Sequence, residues 1–169
     1  AYGGRAEAKN LGATALGSWT QASGQFSIAV GGSDGNGRNN GAATIASGDR
    51  STAIGRNAKS AGADTIALGT GTQANDSDAV AVGTGAQATL ANSIAIGKNS
   101  VATGVFASDR KGRAIAVGFN TQALVEDSVA IGSGVDANAA ALAQNRQSVA
   151  LGWQARATGT TQAVAIGPD

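Results

Sequence analysis

A fourteen-residue period governs this chain and leaves few folds open to it. A glycine closes each of eleven apolar runs, at Gly3, Gly17, Gly31, Gly55, Gly69, Gly83, Gly97, Gly118, Gly132, Gly152 and Gly167. Six of the ten intervals are fourteen residues; the others are 24, 21, 20 and 15. Inside this period, residues 65–88 read TIALGTGTQANDSDAVAVGTGAQA, where G-x-G-x-x-A twice follows a strand-like run. That pattern otherwise marks a turn that cradles a dinucleotide phosphate. A strand–helix–strand unit needs about 30 residues. Fourteen leave no room for the crossover helix, so the nucleotide reading fails on length.

The columns of the repeat define its strands. Before the anchoring glycine stand Tyr2, Leu16, Val30, Ile54, Leu68, Val82, Ile96, Val117, Ile131, Leu151 and Ile166. One residue earlier is alanine in all eleven copies, and two before the large residue comes a β-branched column running from Thr14 and Ile28 to Val149 and Val164. Alternation of period two is that of a strand, with large side chains on one face and alanine on the other. After each glycine, small residues such as Thr72 and Ala74 flank a mostly polar one, as at Glu7, Gln21, Lys59, Gln73, Gln87, Gln122, Asp136 and Arg156. Each period therefore holds two short strands and two bends, with glycine at the bends where positive φ is needed. The fold class that fits is all-β: a parallel β-roll, or β-solenoid, of about fourteen-residue coils over a single domain, 1–169. At about 4.8 Å per coil the rod is about 50 Å long.

The large Val and Ile of the first strand are expected to meet the small Ala and Thr of the second across a thin interior. With the large residues placed inward against the small residues of the second strand, the alanine column becomes a smooth apolar seam facing out. A contiguous patch of that kind marks an interaction surface. The expected oligomer interface is then Ala15, Ala29, Ala53, Ala67, Ala81, Ala95, Ala116, Ala130, Ala150 and Ala165.

Composition narrows the function. There are 12 basic and 11 acidic residues, scattered singly, so no basic stripe is available for phosphates and nucleic acid is not an expected partner. The chain has no Cys, no His and no Met, which removes disulfides, thiol nucleophiles, the commonest general base and the commonest metal ligands. No cofactor is expected. No apolar run approaches the roughly 20 residues of a membrane span, so this segment is expected to make no direct membrane contact.

The segments Asn92-Ser93-Ile94-Ala95-Ile96-Gly97, Asp127-Ser128-Val129-Ala130-Ile131-Gly132 and Gln147-Ser148-Val149-Ala150-Leu151-Gly152 closely resemble the N-S-V-A-I-G head repeat of YadA-like trimeric autotransporter adhesins. Thr44-Ile45-Ala46-Ser47-Gly48 reads as a degenerate copy of it. The resemblance implies a left-handed roll, a homotrimer, and display on the bacterial cell surface at the outer membrane. It also implies attachment to host extracellular-matrix proteins or cell-surface receptors. It makes the chain an excised head, expected without its neck, stalk and membrane anchor.

The longer intervals supply candidate contacts. The first, Gly31-Gly32-Ser33-Asp34-Gly35-Asn36-Gly37, resembles a glycine–aspartate calcium repeat, but such sites need tandem nine-residue copies and one stands here, so a plain loop is expected. The second, after Gly97, gathers Arg110, Lys111 and Arg113 beside Phe106. The third, Ala139 to Arg146, is read as a single helical turn or a cover for a neighbouring chain. Trp19 and Trp153 take equivalent positions at the bends. Candidate ligand contacts are Arg110, Lys111, Arg113, Arg146 and Trp153. The alternative function, a solenoid enzyme acting on polysaccharide, needs clustered carboxylates or bases on adjacent coils. Glu7, Lys59, Asp136 and Arg156 stand too far apart to supply them. An ice-binding solenoid needs a regular threonine array, and threonine is irregular here.

Overall fold

A computed structural model of the protein describes residues 1–32, 43–104, 112–136, 138–159 and 161–167. These residues form twenty strands and no helix, arranged as two ten-stranded parallel sheets. One sheet holds three-residue strands: Thr14–Leu16, Ile28–Val30, Thr52–Ile54, Ile66–Leu68, Val80–Val82, Ile94–Ile96, Ile115–Val117, Val129–Ile131, Val149–Leu151 and Val164–Ile166. The other holds two-residue strands, from Glu7–Ala8 through Gln73–Ala74 to Arg156–Ala157. Each inner strand pairs with the strand one coil before and after it, alanine on alanine except at Ser60, as in Ala67, Ala81 and Ala95. This is the parallel roll that the period requires.

The interior reverses the expected facing. Ala29, Ala53, Ala67, Ala81, Ala95, Ala116, Ala130 and Ala150 have no exposed surface, Ala15 has almost none, and Ala165, in the last coil, is half-buried. They meet the alanines of the short-strand sheet, such as Ala22, Ala74, Ala88 and Ala123, which are equally buried. The alanine column is thus the core rather than an outward seam, and residues without surface of their own cannot form an interface. The reason is thickness. Four-residue turns join the two sheets and hold them too close for Ile or Leu between them. Alanine, serine and threonine fill the space, and the branched residues are turned out.

The corners show why the period is punctuated as it is. A typical turn is closed by a backbone bond across three residues, as from the Ala86 amide to the Gly83 carbonyl at 3.1 Å. Its third residue lies at positive φ: Asn57, Asn99 and Asn120 at 60°, 56° and 58° after three of the anchors, and Asp64, Asp78 and Asp127 at 57°, 59° and 58° at the opposite corner. Asn and Asp tolerate this region best among residues with a side chain. Buried hydroxyls bond across the same span: Ser100 donates to the Gly97 carbonyl at 2.9 Å beside the backbone bond, whereas the Thr72 and Thr121 hydroxyls close the turns at Gly69 and Gly118 in its place, at 2.9 Å and 2.7 Å. A threonine can therefore take an interior position beside alanine because its hydroxyl finds a partner within its own turn.

The anchoring glycine is fixed twice over. Gly83 has φ +122°, and a Cβ built on it would lie 2.7 Å from the carbonyl carbon and oxygen of Gly97 in the next coil. Backbone stacked at coil spacing cannot move aside. Gly83→Ala is expected to destabilise the protein by at least about 2 kcal/mol, from combined strain and overlap. A thermal melt checks this, and Gly71→Ala is the comparison. Gly71 is also at positive φ, but a Cβ there meets nothing within 4 Å, so the smaller loss is expected.

Three further expectations change. Ile45–Ala46 is a strand of the two-residue sheet, paired with Gln21–Ala22 and Lys59–Ser60, so Thr44–Gly48 is not a degenerate copy of the longer strand. In the second long coil, Val101–Ala102 keeps normal pairing, so the extra residues follow that strand instead of the turn after Gly97. In the third, Leu142–Ala143 is a strand and Leu142 is buried; among the described residues there is no helical turn.

Candidate functional site

Turning the branched residues outward produces the largest feature of the surface. The three-residue strands present two apolar columns, one running through Ile28, Ile66, Val80 and Ile94, the other through Val30, Ile54, Leu68, Val82, Ile96 and Ile131. Ile28, Ile54, Ile66 and Ile96 are each 40% exposed in the single chain, although strands above and below flank them. The columns continue from coil to coil without a charged residue. The opposite sheet presents mostly polar side chains, Gln21, Lys59, Gln73, Gln87 and Gln122, all half-buried, with Ile45, Val101 and Leu142 in the same column. One side of the roll is therefore built for water and the other is not. The sequence shows the apolar columns plainly; what it lacks is their facing, because alternation is the same whichever side is in.

Two rims of tight turns border this face. The rim after the strands carries Arg5, Arg56 and Lys98, all exposed. Arg5 lies over the Trp19 ring at 4.2 Å, and Lys98 stands 5.6 Å from the Phe119 ring. The rim before the strands carries most of the acids: Asp49, Asp64, Asp76, Asp78, Glu126 and Asp127. Arg50 on this rim holds Asp64 of the next coil by two bonds of 2.6 Å. That bidentate hydrogen bond keeps the Asp64 carboxyl below its ordinary range and raises Arg50. A lowered carboxyl contributes stability above its unfolded pKa and loses it as pH falls through the folded value. Both groups are exposed, so the acid effect is small.

The candidate contact residues separate. Arg110 and Lys111 lie outside the described residues, as do residues 33–37 of the first loop and Phe106. Arg113 and Arg146, placed in two different insertions by the sequence, converge on one group. The Glu126 side chain is 3% exposed and accepts from Arg113 and, at 3.5 Å, pairs with Arg146. Arg113 also donates to Asp127 at 2.5 Å, and this bond is the main cause of its raised pKa. The two arginines are thus committed to their own chain. Glu126 ties the returning ends of the second and third long coils into register, a role that the sequence does not reveal because Glu126 stands among solvated turn residues. Glu126→Gln is expected to lower Tm by about 5 °C, since it leaves two arginines around an uncharged buried group. The drop in a thermal melt should shrink in high salt.

Trp153 is 53% exposed, whereas Trp19 is half-buried beneath Arg5. They are not equivalent: Trp153 follows its glycine directly and Trp19 is one residue later, at φ 63°. Among the described residues no group of acids could hold a metal ion.

No curated protein matches this chain. The YadA head domain repeat matches it at residues 8–33, 41–58, 46–72, 60–86, 74–100, 88–108, 112–134 and 143–169. The matches between residues 46 and 108 overlap at the fourteen-residue coil spacing, and all together cover most of the chain, so the family is carried by the same repeat that builds the two sheets. This protein belongs to the YadA head domain repeat family.

Proposed function

We propose that the chain is the head of a trimeric autotransporter adhesin, displayed on a bacterial cell surface and attaching to host matrix proteins or receptors. The apolar face carries this reading. Eight of the ten strands turn two mostly branched apolar side chains outward and the other two pair one with a threonine, and a soluble rod cannot leave such a surface wet. Three copies with these faces turned toward a common axis would form a second core between chains, larger in side chain than the alanine core within each. The trimer interface is therefore assigned to the columns flanking the alanines: Ile28, Ile54, Ile66, Ile94 and Ile96 in place of the alanines themselves.

In that arrangement the polar sheet faces outward, and three identical surfaces would raise avidity without a strong single site. Saturable binding to wells coated with individual matrix proteins tests the adhesive role. Shortening the second insertion to a fourteen-residue coil is expected to lower binding to at least one ligand at unchanged Tm. Absence of binding to every matrix protein and cell surface tried would contradict the adhesive reading.

A further inference from the structure

The two rims of the apolar face are opposite in unspent charge. Three of the rim acids, Asp64, Glu126 and Asp127, are taken up by Arg50, Arg113 and Arg146 of the same rim. Among the described residues Asp49, Asp76 and Asp78 make no ion pair, although Asp49 and Asp78 lie in the field of Arg50, which is bonded to Asp64; the Asp49 carboxylate accepts from the Gln25 amide and that of Asp76 from the amide of Ser77. On the other rim Arg5, Arg56 and Lys98 likewise make no ion pair among the described residues. Asp136, also on that side, is turned onto its own turn, accepting from the amides of Asn138 and Ala139. What remains is a basic edge and an acidic edge on either side of one apolar strip.

We propose that these edges pair between copies of this chain: Arg56 of one copy meets Asp49 of the next, and Lys98 reaches Asp78. The inference rests on the self-association assigned above and adds its orientation and register. All strands of the face run the same way, so its basic rim always lies at the strand ends and its acidic rim at the strand starts. Rotating a copy about the rod axis brings ends against starts, basic against acidic. Inverting a copy brings like rim to like rim, and like charge opposes it. Rotation also leaves height unchanged. Asp49 and Arg56 flank the same strand, Thr52–Ile54, and so face each other across the boundary at one level. Lys98 and Asp78 flank strands one coil apart, about 4.8 Å in height, which a lysine side chain spans.

The chain has no cysteine, so introduced thiols report the contact directly. Asp49→Cys with Arg56→Cys in one chain, mildly oxidised and run without reductant, should give a covalent trimer, and either substitution alone should stay monomeric on the gel. A disulfide dimer from Arg56→Cys alone would overturn the proposal, because it requires basic rim on basic rim. So would an absence of cross-links in a double variant that sediments as a trimer. A double variant that sediments as a monomer would instead overturn the trimer itself. As a second arm, Arg56→Glu is expected to weaken association roughly tenfold at low salt, and Asp49→Lys added to it should restore most of the loss. Failure of the swap to restore association would also contradict the pairing.

Discussion

Ala81→Leu is expected to abolish the cooperative unfolding transition of this protein, or to lower Tm by more than 10 °C. Ala81 has no exposed surface, and its paired neighbours Ala67 and Ala95 have none either. Overpacking an ordinary core costs about 1–3 kcal/mol, because neighbours shift to make room. Here the neighbours are backbone held in a ladder on both sides and alanines of the opposite sheet. The added volume has to push two sheets apart over several coils. Thermal melts followed by circular dichroism at the strand band measure the effect, with Ala81→Ser as the comparison. Serine stands at interior positions elsewhere, at Ser60 and Ser100 for example, so Ala81→Ser should retain the fold with a modest loss.

Charging the opposite face has a different signature. Ile66→Asp combined with Ile96→Asp leaves the interior of each coil unchanged, since both side chains point outward. In the proposed trimer it places six carboxylates around the shared axis. Each isoleucine also gives up about 1.5–3 kcal/mol of burial between chains. Assembly should be lost at micromolar concentration, measured by sedimentation velocity. Ala81→Leu thus acts on the coil and the double aspartate on the assembly, and the contrast separates the two faces of one strand.

How far the sequence carries depends on what each residue reports. The fourteen-residue spacing of the glycines dictates two strands and two bends per coil, and residues such as Gly83 show why: the position demands both positive φ and contact with the next backbone. Small–polar–small at Thr72-Gln73-Ala74 gives the facing of the second sheet correctly, because a glutamine does not go into a dry interior without partners. Ile66-Ala67-Leu68 carries no such clue. Both of its faces are apolar, and the ordinary rule that larger residues go inside points the wrong way. The deciding quantity is the separation of the sheets, set by two short turns. Serine at the buried position before the strand, as in Ser93 and Ser128, was the available signal. Ser93 alternates with Ala95 and so shares its face, which marks that face as one of small side chains. Glu126 and the unspent charges at Arg56 and Asp49 depend on which turns stack, and a pattern read along the chain does not display that.

The central claim is that alanine fills each coil while the branched columns are buried only between copies. Sedimentation equilibrium of the unmodified chain tests it most directly. A single species of three times 16.3 kDa, persisting to low micromolar concentration, is the expected result. A stable, folded and soluble species of 16.3 kDa, with its branched face open to water, would contradict it.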